Sequence, residues 1–166
     1  MRILGIDPGY ERLGVAVLDP ALPEQRGKKN FNHKVIFSEC FKTLATLPFP
    51  ERLRMIGEEV KNIIKKYKPD VLAIETLFLT TNQKTVMHVA EVRGVVIYEA
   101  MCAGLKIFEA SPPQIKIATT GYGKANKEQI MKMVRILVEI NNTKTSDDEL
   151  DAIAIALTSF AHIRNI

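Results

Sequence analysis

At 166 residues, with 46% hydrophobic and 25% charged side chains, the chain has the length and balance of one soluble globular domain spanning 1–166. No apolar run approaches the ~20 residues of a membrane span, and the N-terminus reads as a folded strand rather than a basic, apolar-cored export signal, so a cytoplasmic location is expected. A net charge of +4 is too small to argue for a polyanionic partner by itself; Cys40 and Cys102, both within apolar segments, read as buried thiols in a reducing compartment.

In chain order, the pattern predicts a strand over 2–7, a Pro8-Gly9 turn and a second strand over 13–18. Residues 20–30 are rich in turn formers and charge and read as a loop, after which 33–41 completes an antiparallel meander. Leu53, Ile56, Val60, Ile63, Ile64 and Tyr67 recur at helical spacing and predict a helix over 51–67. Pro69-Asp70 ends it, and 71–75 is a short buried strand. A long helix is expected over 82–103, stopped by Gly104 at its C-terminal cap. A strand over 106–109, a short helix opened by Pro112-Pro113, a Gly121-Tyr122-Gly123 loop, a helix over 126–140 and a last helix from Ser146 complete the chain. Three strands followed by strand–helix alternation predict an α/β fold, a five-stranded mixed sheet with helices on its faces.

Four acids stand out against this background. Asp7 closes the run Ile3-Leu4-Gly5-Ile6, Glu75 closes Val71-Leu72-Ala73-Ile74, and Asp151 interrupts the apolar stretch from Leu150 to Leu157. Asp148 lies three residues before Asp151, so on a helix the two share a face with Cβ atoms about 5–6 Å apart. Carboxylates in buried-type surroundings are rare unless paired or bound to a metal. Local explanations exist: Asp7 precedes a turn, and Ser146 with Glu149 fits a capping box that accounts for acids at a helix start. Asp151 escapes that account, since it lies past the first turn. If the four converge, they suit Mg²⁺, and two such ions about 3.5–4 Å apart could cleave a phosphodiester. Basic residues gather in two places. Lys106, Lys116, Lys124, Lys127, Lys132 and Arg135 form one group, and Arg26, Lys28, Lys29, His33 and Lys34 the other.

These residues resemble the RuvC-type Holliday junction resolvases of the RNase H-like superfamily. Leu4-Gly5-Ile6-Asp7-Pro8-Gly9 resembles the first motif of that family, and Ala73-Ile74-Glu75 followed by Phe78 the second. Arg93-Gly94-Val95 resembles the segment in the long helix. Gln114-Ile115-Lys116, Gly121-Tyr122-Gly123 and Lys127 are similar to the basic region, and Asp148-Glu149-Leu150-Asp151-Ala152-Ile153-Ala154 to the closing motif. The ordered set runs from residue 1 to about 160. It implies an RNase H-like fold and a homodimeric nuclease that nicks a four-way DNA junction symmetrically, beside a branch-migration helicase and the nucleoid. By the same resemblance, Asp7, Glu75, Asp148 and Asp151 bind two Mg²⁺ ions, with Mn²⁺ able to substitute. Lys116 and Lys127 serve cleavage, while Phe78, Arg93 and Lys124 join them in contacting DNA. Phe78 reads equally as core packing and Arg93 equally as a surface or dimer ion pair. Thr76, Val92 and the long 20–33 segment depart from the family pattern.

Three other readings share part of the pattern: a sugar-kinase-like ATPase, a RuvC-related RNA-processing nuclease and a non-catalytic junction-binding protein. The first needs a second phosphate loop that the chain lacks, and the third is at odds with retention of all four acids. The acid pair together with the Lys116–Lys127 region favours junction cleavage over RNA processing.

Overall fold

A computed structural model describes residues 1–20, 32–77, 83–141 and 144–163. Strands β1 (Ile3–Asp7), β2 (Arg12–Pro20) and β3 (His33–Lys42) form the expected antiparallel meander. Helix α1 (Phe49–Tyr67) leads to β4 (Val71–Glu75), α2 (Gln83–Cys102) leads to β5 (Lys106–Ala110), and α3 (Pro112–Thr120), α4 (Lys127–Leu137) and α5 (Asp147–Ile163) complete the helices. β4 pairs parallel with β1, and β5 parallel with β4.

The sheet has six strands rather than the expected five, in the order β5-β4-β1-β2-β3-β6. The helix expected over 126–140 stops at Leu137, and Val138–Glu139 becomes β6, parallel to His33–Lys34 of β3. Apolar periodicity runs on through Val138 and Ile140, so the pattern alone reads as helix. The open edge of β3 offers hydrogen bonds that win over one more helical turn, and Val138 takes an extended backbone. Gly104 adopts the left-handed conformation expected at a helix end, with φ 79°.

Side-chain alternation splits the core in two. Leu4, Ile6, Val15, Val17, Leu72 and Ile74 pack on one face of the sheet against α1 and α2. Ile3, Ala16, Leu18, Val71 and Ala73 pack on the other against α5, which is buried from Leu150 to Phe160 save for Asp151. Among the described residues, no helix is long and apolar enough to cross a membrane. The expectation of two buried thiols is overturned: Cys102 is exposed at the end of α2, and Cys40 is only half-buried. Cys102 lies in the last turn of α2, and β3, next to the edge strand of the sheet, is half-buried along most of its length, so an apolar neighbourhood in sequence did not guarantee burial.

Candidate active site

Asp7 and Glu75 terminate two neighbouring parallel strands that are in register through Ile6 opposite Ile74. Their odd-numbered companions Ile3, Val71 and Ala73 all face α5, so the period of two carries both carboxylates to that side of the sheet. Helix α5 begins above them. Its start is the capping box foreseen in the sequence: Glu149 N–H donates to Ser146 Oγ at 3.3 Å, and Ser146 N–H donates to Glu149 Oε1 at 3.0 Å. Asp148 and Asp151 therefore leave the first turns of a well-anchored helix.

Two glycines let that helix descend. A Cβ on Gly14, which pairs with Asp7 across β1 and β2, would stand 2.1 Å from the Asp148 carbonyl oxygen and 3.2 Å from Asp7 Cβ. On Gly5 it would stand 2.2 Å from the carbonyl oxygen of Ala152. Any side chain at either position would lift α5 and part the helical acids from the strand-end acids. Gly14 lies mid-strand, where an isolated glycine often marks such an approach. The sequence carries that signal without saying which element comes close.

A cavity of about 310 Å³ opens at the strand ends. Asp7, Glu75 and Asp151 line it together with Lys116 from α3 and Lys127 from α4. Lys127 Nζ lies 3.1 Å from Asp151 Oδ2 and 3.7 Å from Asp147 Oδ2. Asp148 stands beside this cavity rather than in its lining. Its Oδ2 accepts from the Cys40 thiol at 3.3 Å and lies 3.8 Å from Arg12 Nη1. The sequence marks neither Cys40, which reads there only as a buried thiol, nor Arg12 as a site residue; both sit on strands whose register brings them to α5.

The remaining expected residues fall elsewhere. Lys124 is exposed on the α3–α4 turn and does not line the cavity. Arg93 pairs with Glu109, and its Nε donates to the Glu75 carbonyl oxygen at 3.2 Å, so it braces the backbone end of β4. Phe78, and Arg26, Lys28 and Lys29 of the second basic group, lie outside the described residues.

Electrostatics set these acids apart from ordinary surface carboxylates. Burial, reinforced by Asp151, Glu75 and Asp148, pushes Asp7 up to about 7, with Lys127 opposing. Burial and then Asp151 raise Glu75. Burial also raises Asp151 against the hydrogen bond and charge of Lys127, with Asp147 and Asp148 adding to the rise. Burial works against the charge of Lys127, but the hydrogen bond and charge of Asp151, helped by Asp147 and Asp148, outweigh it and raise that group too.

Burial is the first cause for all three acids, and their mutual negative charge, which the Lys127 ammonium does not balance, adds to it. Among the described residues, no three Asp, Glu, His or Cys side chains are spaced as ligands of one ion. The donor set fits a hard divalent cation: the cavity acids offer oxygen only, at positions where positive charge is in deficit.

A family model described as Crossover junction endodeoxyribonuclease RuvC matches residues 3–159. Proteins of that name are similar along nearly the whole chain. The one from Halothermothrix orenii is 40% identical over 157 residues, covering 95% of this chain and 90% of that protein. The one from Desulfitobacterium hafniense is 40% identical over 166 residues, covering 100% and 95%. The structure of T. thermophilus RuvC in complex with a Holliday junction substrate superposes with a TM-score of 0.87 at 30% identity, covering 99% of this chain and 96% of that one. The yeast mitochondrial Holliday junction resolvase shares the fold, with a TM-score of 0.68 at 14% identity over 98% and 81% of the two chains.

Proposed function

The chain belongs to the RuvC family of crossover junction endodeoxyribonucleases, and from that premise we propose that it resolves four-way DNA junctions by paired symmetric nicking in recombination and repair. The observation that carries the reading is the grouping of Asp7, Glu75 and Asp151 in one cavity with Lys116 and Lys127, and Asp148 at its border.

The nuclease is metal-dependent, and Asp7, Glu75, Asp148 and Asp151 would hold two Mg²⁺ ions, with Mn²⁺ able to replace them. Once bound, such ions supply a nucleophile at neutral pH and neutralise the oxygens of the scissile phosphate. The protein's own contribution is placement. Asp7 sits where the charges of the other three acids are felt together, and so bridges the two halves of the site. Lys116 faces the cavity from α3 and would grip the scissile phosphate. Lys127 pairs here with Asp151 and Asp147, and its ammonium would be available to hold the scissile phosphate where a cation took over the charge of Asp151. Arg93 keeps Glu75 in place by holding its backbone, which supports a role in the site ahead of direct DNA contact. Phe78 follows β4 closely enough in the chain to serve as the aromatic that stacks at the junction centre.

A four-way junction has approximate two-fold symmetry, which an isologous homodimer with two equal sites matches. Helix α2 supports that assembly. Val92, Val96 and Ala100 are fully buried towards the core, while Met87, Tyr98 and Met101 expose apolar surface on its outer side. A branch-migration helicase working beside such a dimer, and association with the nucleoid in the cytoplasm, follow from the same reading.

The test is cleavage of a labelled synthetic four-way junction in Mg²⁺ beside linear duplex and an RNA hairpin, with Glu75→Gln as control. Paired symmetric nicks in the junction alone, lost in Glu75→Gln, are expected. Cleavage of the RNA hairpin, or junction binding without nicks in either Mg²⁺ or Mn²⁺, would overturn the assignment.

A further inference from the structure

Asp7, Gly14 and Cys40 form one row across β1, β2 and β3, because Asp7 pairs with Gly14 and Gly14 with Cys40. The first turn of α5 crosses this row over Gly14, where the Asp148 carbonyl oxygen takes the space of a missing side chain. On one side of that crossing is the carboxylate of Asp7. On the other the thiol of Cys40 donates to Asp148 Oδ2 at 3.3 Å, an ordinary length for a bond from sulfur. Two residues earlier on β3, opposite Ala16, Ser38 Oγ donates to Glu149 Oε2 at 2.6 Å. The other oxygen of Glu149 closes the cap on Ser146. Small residues on β2 thus make room for α5, and hydrogen-bond donors two apart on β3 hold consecutive acids at its start.

We propose that Cys40 is a positioning residue for the nuclease site: its thiol fixes one carboxylate oxygen of Asp148 and so would leave the other oxygen free to hold a cation. The inference rests on the carboxylate-site reading given above. Groups that orient a ligand from behind typically change metal affinity tenfold or more when removed. Arg12 does not duplicate this contact. It approaches the same oxygen at 3.8 Å from an exposed side chain, a distance at which charge is felt but orientation is not imposed.

The experiment is a Mg²⁺ titration of thermal unfolding on the full chain, wild type against Cys40→Ser, Cys40→Val and Cys40→Ala, alongside the Mg²⁺ dependence of junction cleavage. Cys40→Val and Cys40→Ala, which lack a donor, are expected to raise the Mg²⁺ concentration for half-maximal stabilisation about tenfold. Cleavage in these two variants should recover at saturating Mg²⁺. Cys40→Ser, whose hydroxyl donates to the same carboxylate, is expected to stay near wild type. Equal Mg²⁺ midpoints for wild type and Cys40→Val would overturn the inference while leaving the carboxylate site intact. So would a Cys40→Ser variant as impaired as Cys40→Val, since volume rather than donation would then matter. A wild-type protein whose unfolding ignores Mg²⁺ overturns the site reading, and this inference with it.

Discussion

The two faces of the central sheet are built from the same strands and do different things. Towards α1 and α2, the inward positions of β1, β2 and β4 carry branched aliphatics in one continuous buried cluster. Towards α5, the same strands carry Ile3, Leu18 and Val71 at one end and the small residues Gly5, Gly14, Ala16 and Ala73 nearer the other, ending in Asp7 and Glu75. Both faces gain stability from buried area. The face towards α5 also gives up side-chain volume at Gly5 and Gly14 so that a helix backbone can approach within contact of the strands, and it holds carboxylates whose charges are unbalanced. The contrast shows where this fold places its chemistry.

The largest expected effect lies at the carboxylates. Asp7→Asn should lower junction cleavage on the order of a thousandfold, several kcal/mol of barrier, while junction binding persists. Undiminished Mg²⁺-dependent cleavage by that variant would remove Asp7 from the mechanism. Next comes the helix approach. Gly14→Ala should cost about a hundredfold in cleavage, because a shift of roughly 1 Å at a reacting centre is enough for that. Leu72→Ala on the opposite face should destabilise by about 2–5 kcal/mol and yet leave activity per folded molecule unchanged. If the two variants lose stability and activity in the same proportion, the division of labour between faces is wrong.

The pH dependence of the metal-free protein sharpens the same contrast. Asp7 is raised to about 7, so the folded state binds more protons than the unfolded state between an ordinary carboxylate pKa and that value. Stability is then fully present at low pH and is lost as pH rises through about 7. The loss should be on the order of 2 kcal/mol after discount for solvent contact, roughly 6 °C in Tm for a chain of this size. Glu39, raised to about 7 by burial and then by Glu59, adds a slope of the same sign from outside the site. Melting curves at pH 5 and pH 8 should therefore flatten partly in Asp7→Asn and further in Asp7→Asn with Glu39→Gln. Mg²⁺ at pH 8 should restore only the Asp7 share. The smallest effect is expected at Lys124, exposed and outside the cavity: Lys124→Ala should weaken junction binding a few-fold and reduce the salt slope by about one, with the cleavage rate of bound junction unchanged.

Much of this protein is legible in its sequence, for local physical reasons. Alternation and helical spacing reveal β1 to β5 and the five helices, because side-chain period follows backbone geometry within a few residues. The four acids declare themselves because charge inside an apolar run is costly and needs a cause. The capping box at Ser146 and the stop at Gly104 are equally local. Tertiary structure alone decided the rest. A two-residue strand such as β6 has no period of its own and exists because β3 offered an open edge. The role of Gly14 depends on which helix crosses it, and the contact of Cys40 with Asp148 joins residues 108 apart in the chain. Such meetings are set by strand register and helix placement, which sum the packing of the whole chain and leave no mark in any short stretch of it.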